Sequence, residues 1–136
     1  MGHWLFKTEP GDYSLSDLEK EGTTIWSGVK NNLALKHLRT VERGDSVFIY
    51  HTGNEKAIVG TAGVVRASSS EASGSGAGNA EIELKFLQRL VRPVTLAELK
   101  TDREFADFDL LRNSRLSVMP VNTKRWNIIL KKGSLT

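Results

Sequence analysis

The stretch Trp26-Ser27-Gly28-Val29-Lys30-Asn31 puts a large aromatic ring beside a hydroxyl, a glycine, a cation and a carboxamide. Trp26 offers a flat apolar face, and Ser27 and Asn31 can supply donors and acceptors around it. Gly28 lets the backbone turn or come close to a ligand. Such a set could hold something flat with a polar edge, such as a nucleobase. The competing reading makes Trp26 a core anchor and Gly28 a turn residue, and for a lone tryptophan that reading weighs more. Other residues raise the same choice. Lys7, Thr8 and Glu9 stand where a strand gives way to Pro10-Gly11, a common place for site residues and an equally common place for solvent-facing ones. Lys36, His37 and Arg39 close a helix, either complementing its dipole or forming a phosphate-facing cluster.

Composition narrows the classes. A chain of 136 residues with 39% hydrophobic and 26% charged residues is expected to form a single domain, residues 1–136, with a real core. Cysteine is absent, which excludes disulfides and thiolate zinc sites. His3, His37 and His51 lack metal-motif spacing, so neither metal nor cofactor is expected. No basic patch precedes a long apolar run, no stretch could span a bilayer, and Phe6 stands where a myristoylation signal needs Ser or Thr. The expectation is a soluble intracellular monomer, cytoplasmic in a bacterium and nuclear in a eukaryote. A net charge of +3 permits a polyanion partner without requiring one.

Periodicity supplies the elements that must position these groups. His3 to Lys7 reads as a strand rich in aromatic and apolar residues. Ser14 to Lys20 reads as a short helix with Ser14 as N-cap, Asp17 completing a capping box and Gly22 at its end. The Trp26 segment follows as a loop, and a second helix spans about Asn32–Arg39. Ser46–His51 is the clearest strand, apolar on both faces, with Val47, Ile49 and His51 on one and Phe48 and Tyr50 on the other. Ala57–Arg66 pairs with it, and Gly60 and Gly63 mark a bulge or barrel bend. About 67–79 reads as a flexible Ser/Gly-rich loop. Ala80–Leu90 is a half-wet strand, with Ile82, Leu84 and Phe86 facing in, and Pro93 breaks it. A short helix capped by Thr95 follows, then Ser114–Val121 as an extended piece. A last helix over Thr123–Lys131 has Trp126, Ile129 and Leu130 on one face. The pattern is α+β: a curved mixed sheet or small barrel with short flanking helices.

Several of these stretches occur together, and in order, in one family. Trp4-Leu5-Phe6-Lys7-Thr8-Glu9-Pro10, Tyr13-Ser14, Trp26 to Asn31, Gly44-Asp45 with Tyr50-His51, and Ser114 to Val121 resemble the EVE domain family of the PUA-like superfamily. The resemblance runs from the first strand to the last helix. It implies a PUA-like pseudo-barrel with a pocket for nucleic acid, selective for modified bases such as 5-methylcytosine and its oxidised forms or a modified RNA base. EVE domains are similar to YTH domains, and Trp26 falls where a YTH cage tryptophan lies, with Ser27 following it in both. Lys30 stands where the family more often has Arg, keeping the charge and losing a planar fork. Ser68–Asn79 replaces a segment that in the family usually carries Tyr-Pro-Asp and then a tryptophan.

On that resemblance Trp26 would stack on an unpaired base, while Thr8, Ser27, Asn31 and Ser117 read its polar edge. Glu9, Tyr50 and His51 fall beside the same pocket, and Lys7, Lys30, Lys36, Arg39 and Arg115 would meet phosphates of DNA or RNA. No catalytic residue is assigned. An enzyme using Glu9 and His51 as an acid–base pair is the less favoured alternative, since no nucleophile elbow, phosphate loop or metal cluster accompanies them. A pocket for a small metabolite, or a docking surface for a protein using the chain as an adaptor, is the other.

Overall fold

The computed structural model describes residues 2–27, 29, 31–70 and 79–135. In chain order the elements are β1 (His3–Thr8), α1 (Leu15–Glu21), β2 (Thr23–Trp26), α2 (Asn32–Leu38), β3 (Ser46–His51), β4 (Ala57–Ser70), β5 (Asn79–Thr95), α3 (Leu96–Lys100), a 3₁₀ turn (Arg103–Phe105), α4 (Asp109–Arg112), β6 (Val118–Pro120) and α5 (Thr123–Lys132). The strands form one mixed sheet in the order β2-β5-β4-β3-β1-β6. β1 and β3 run parallel, and every other ladder is antiparallel. The architecture is α+β, with β2 and β6 as the unjoined edges.

Three strands lie between β2 and β1 in that order, so a flat sheet would hold the two about 19 Å apart. Yet the rings of Trp26 on β2 and Phe6 on β1 are 5.6 Å apart. The sheet therefore curls until its first strand meets its fifth, without closing into a barrel. Glycines and bulges permit this curl. The β4 ladders shift register around Gly60, against β3 and again against β5. A Cβ at Gly60 would come within 2.5 Å of Leu15 Cδ2 and 2.7 Å of the Gln88 carbonyl, so α1 lies directly on that position.

β3 is covered on both sides, as its two apolar faces require: Val47 through His51 are all buried. On one face Phe48 stacks on Trp126 of α5 at 3.8 Å, and Trp126 stacks in turn on His3 at 4.5 Å. On the other, His51 meets the start of α1 through the Leu15 amide. At the opposite end of β3 the buried Asp45 carboxylate accepts from the Trp4 indole and from the amides of Gly2 and Glu42.

Local signals held well at α1, where the Ser14–Asp17 capping box forms with both hydrogen bonds and Gly22 takes the C-cap with φ 84°. Thr95 and Asn122 cap α3 and α5 in the same way. Four expectations need correction. Trp26 ends a strand, Thr23–Trp26, rather than beginning a loop, because β5 offers it a ladder. β4 runs through Ser70 and β5 starts at Asn79, so the inferred loop over 67–79 narrows, and 71–78 lie outside the described residues. Pro93 does not end β5. It falls in the stretch between Arg89 and Val94 that the ladder with β4 skips, where its missing N–H costs no hydrogen bond. The Ser114–Val121 segment is strand only over Val118–Pro120, because β1 pairs with those three residues alone.

Candidate functional site

Pairing with Ile82 aims Trp26 at the inside of the curl. There its half-buried ring rests on Phe6 at 49° and meets the ring of Tyr13 nearly edge-on, at 6.4 Å and 84°. Tyr13 is held on three sides. Its amide donates to the Glu9 carbonyl at 2.9 Å, its carbonyl accepts from Thr8 Oγ1 at 2.7 Å, and its hydroxyl donates to Glu21 Oε1 at 2.5 Å. Burial, then the bond to Glu21, push the Tyr13 hydroxyl pKa above its ordinary value. Between these groups lies an open recess of about 230 Å³ lined by Thr8, Tyr13, Thr24, Ile25, Trp26 and Ser27. The exposed Ile25 and Ser27 stand at its rim.

Of the pocket residues inferred from sequence, Thr8, Trp26 and Ser27 line this recess. Asn31 does not; it caps α2, with Oδ1 accepting from the Ala34 amide at 3.0 Å, so one half of its carboxamide is committed to the fold. Glu9 is exposed and accepts from the Gly11 amide. Tyr50 is buried opposite Lys7 in the β1–β3 register, and burial raises its hydroxyl pKa. His51 accepts at Nε2 from the Leu15 amide and contacts Glu55 Oε1 through Nδ1 at 2.8 Å. With both ring nitrogens engaged, it is not hydrogen-bonded to Glu9. Ser117 sits at the entry to β6, where its carbonyl accepts the Lys7 amide.

The cations divide in the same way. Lys7 Nζ donates to the Ser114 carbonyl at 3.1 Å, next to exposed Arg115, and burial lowers the Lys7 pKa. Lys36 and Arg39 are exposed at the end of α2, which packs on β6. Gly28 and Lys30 lie outside the described residues.

Tyr13, Thr24 and Ile25 are the lining residues that site reasoning from sequence missed. Thr24 and Ile25 follow once Thr23–Trp26 is recognised as a strand ending at the recess. Tyr13 carried one signal, an aromatic immediately before a capping box and so at the mouth of a helix. Among the described residues no group of three His, Cys, Asp or Glu could hold a metal ion, and no helix is long and apolar enough to cross a membrane.

A six-stranded mixed sheet curled onto its own fifth strand, with short helices at its ends and an aromatic recess inside the curl, defines a PUA-like α+β domain. The EVE domain model matches residues 2–132, and the chain belongs to the EVE domain family. A protein from Rhodopseudomonas palustris is 36% identical and superposes with a TM-score of 0.89 over 99% of this chain and 94% of that one. Human thymocyte nuclear protein 1 is 25% identical over 162 residues, covering 94% of this chain and 72% of the human protein. The crystal structure of human THYN1 in complex with 5-methylcytosine-containing DNA shares the fold at a TM-score of 0.87, with 24% identity over 98% of each chain.

Proposed function

We propose that the chain is a non-catalytic nucleic-acid-binding module that holds one unpaired base against Trp26. The observation that carries this reading is the placement of Trp26, partly buried at the wall of a recess, backed by Phe6 and braced by Tyr13. Core tryptophans are covered, whereas a stacking platform must be rigid behind and open in front. The recess is below the roughly 300–1,000 Å³ of drug-sized sites, a size suited to a single planar ring. Its walls combine an aromatic face with several hydroxyls, the mixture that a base with an apolar face and polar edges needs. The DNA complex of human THYN1 supports a nucleic acid as partner, and that complex makes 5-methylcytosine the first modified base to try. A base inside a duplex cannot reach such a recess, so the target is single-stranded or flipped out of its stack. Lys7 and Arg115, brought together through Ser114, lie on the face of β1 opposite Phe6 and Thr8 and would take phosphates farther along the same strand.

The test is a titration with single-stranded oligonucleotides that differ at one position, carrying cytosine, 5-methylcytosine, 5-hydroxymethylcytosine or N6-methyladenine. It is run on the parent protein and on Trp26→Ala. Binding should weaken roughly 10- to 100-fold in Trp26→Ala, the worth of one base–aromatic stack. A methyl group buries little surface, so preference for 5-methylcytosine over cytosine should be only a few-fold. Equal binding by a folded Trp26→Ala would show that the ring is no platform.

A further inference from the structure

Gly60 and Gly63 of β4 have opposite surroundings. At Gly60 the space of a side chain is filled by Leu15. At Gly63, which faces the other side of the sheet, the nearest atoms to a Cβ would be Leu87 Cδ1 at 3.4 Å and Lys85 Cε at 3.5 Å, ordinary contact distances. Gly63 is paired on both sides, with Ser46 and Lys85, so it is not a bulge residue. Neither crowding nor a bulge calls for glycine there, and glycine inside a strand costs stability unless something else comes close. Gly63 lies at the floor of an open groove of about 400 Å³ on the outer face of the sheet. Exposed Leu87 walls it, and the β4–β5 ladder skips Val65 beside the floor. Arg43 and Lys85 stand exposed at its rim, and among the described residues neither is paired with a carboxylate. The Asp45 carboxylate is taken up by Gly2, Trp4 and the Glu42 amide, and Glu83 pairs with Arg66 at 3.3 Å.

We propose that this groove takes the sugar-phosphate backbone of the same nucleic-acid strand whose base enters the recess, on one side of that base only. This rests on the reading that Trp26 stacks a base, and adds a second contact surface to it. Ile25, at the rim of the recess, lies opposite Glu83 in the β2–β5 ladder, and Thr23 lies opposite Lys85. Lys85 is thus the diagonal neighbour of Ile25 on the same face, about 7–8 Å away. β2 is the edge of the sheet, so no further strand of the sheet bars the way round it. A backbone that leaves the recess over exposed Ile25 and Thr23 arrives between Lys85 and Arg43, whose charges match its phosphates. Leu87 and the bare backbone of Gly63 give its sugars an apolar seat. An acidic protein segment would also suit the two cations, but only a strand leading out of the recess accounts for a groove that opens beside the recess rim.

The test uses two single strands of equal charge, each with one 5-methylcytosine and a tail of about six abasic nucleotides, on its 3′ side in one and its 5′ side in the other. Abasic tails keep the phosphates and leave a single base to enter the recess. Both are titrated against the full chain, Lys85→Ala, Arg43→Ala, Gly63→Val and Trp26→Ala, with folding of each variant checked by circular dichroism. Trp26→Ala should weaken both strands. Lys85→Ala and Arg43→Ala should each weaken one of the two roughly two- to fivefold, the range of an exposed ion pair, and leave the other unchanged. The salt slope of the affected strand should flatten by about 0.7 in each. Gly63→Val keeps both charges and fills the floor, so it should weaken that same strand. Groove variants that change neither strand, with both still weakened in Trp26→Ala, would overturn the groove, leave the stacking reading standing and turn the search to an acidic protein segment. Equal weakening of both strands would overturn it too, because the cations would then attract phosphates diffusely rather than hold one arm. Binding that depends on the groove and not on Trp26 would sink the stacking reading and the shared strand with it. If neither strand binds the parent, both readings fall together.

Discussion

His51 Nε2 accepts the backbone amide of Leu15 at 3.0 Å, tying the end of β3 to the first turn of α1. A ring nitrogen that accepts carries no proton, so the proton of the neutral ring sits on Nδ1 and is donated to Glu55. The bond takes one of the orphan amides that begin every helix, and the helix it anchors carries Tyr13 at its mouth. A histidine that looks catalytic in the sequence thus sets the position of a recess wall.

Replacing His51 with Phe should therefore cost stability. The Leu15 amide would be left buried and unpaired, a loss of about 1–3 kcal/mol. Urea denaturation of the variant beside Glu55→Gln measures it, with the glutamine variant expected to lose less because Glu55 is exposed.

Asp45 predicts a pH dependence. Burial alone would raise its pKa, but the hydrogen bonds from Glu42, Trp4 and Gly2 outweigh that and hold it below the usual carboxylate range. A carboxyl whose folded pKa is depressed contributes stability that is present in full above the unfolded value, about 3.9. That stability is lost as pH falls through the folded value. Asp45→Asn should be less stable at pH 7 by roughly 1–3 kcal/mol and should lose less than the parent between pH 5 and pH 2. Denaturant midpoints across that range decide it.

Salt dependence tests the phosphate contacts. Oligonucleotide affinity should fall linearly with salt on logarithmic axes, and Lys7→Ala and Arg115→Ala should each flatten the slope by about 0.7 if each meets one phosphate of a single strand. Lys124→Ala, which removes a cation paired with Glu104, should leave the slope unchanged.

The capping box gives a local prediction. Ser14→Ala removes the acceptor for the Asp17 amide and should cost about 1 kcal/mol. Because α1 positions Tyr13, the same variant should also bind the 5-methylcytosine oligonucleotide somewhat less tightly.

Much of this fold can be read directly from residue order, and the exceptions share a cause. β3 and the caps of α1 and α3 depend on residues a few positions apart, so alternation and Ser or Thr before a helix are sufficient signals. Thr23-Thr24-Ile25-Trp26 is a run of strand-favouring residues too short to stand out between a helix and a glycine-containing loop, and pairing with Ile82 to Lys85 fixes it as a strand. Pro93 misleads for the same reason: a proline is harmless in a strand where the ladder skips it, and only the register shows that. At the site, Trp26 and Thr8 stand out by residue type and by family resemblance. Asn31 shares the motif but its carbonyl is spent on a helix cap. The place of Tyr13 depends on how α1 lies on the sheet, which no local pattern encodes.

The absence of a side chain at Gly60 acts as a gauge for a space it does not touch. Leu15 rests where that side chain would be, so the height of α1 over the sheet, and with it the distance from Tyr13 to Trp26, is fixed from beneath. Even a single methyl there would have to push aside both the Leu15 side chain of α1 and the Gln88 carbonyl of β5, loosening the seat beneath the recess. The aperture of the recess can thus be altered without changing any residue that a guest would meet.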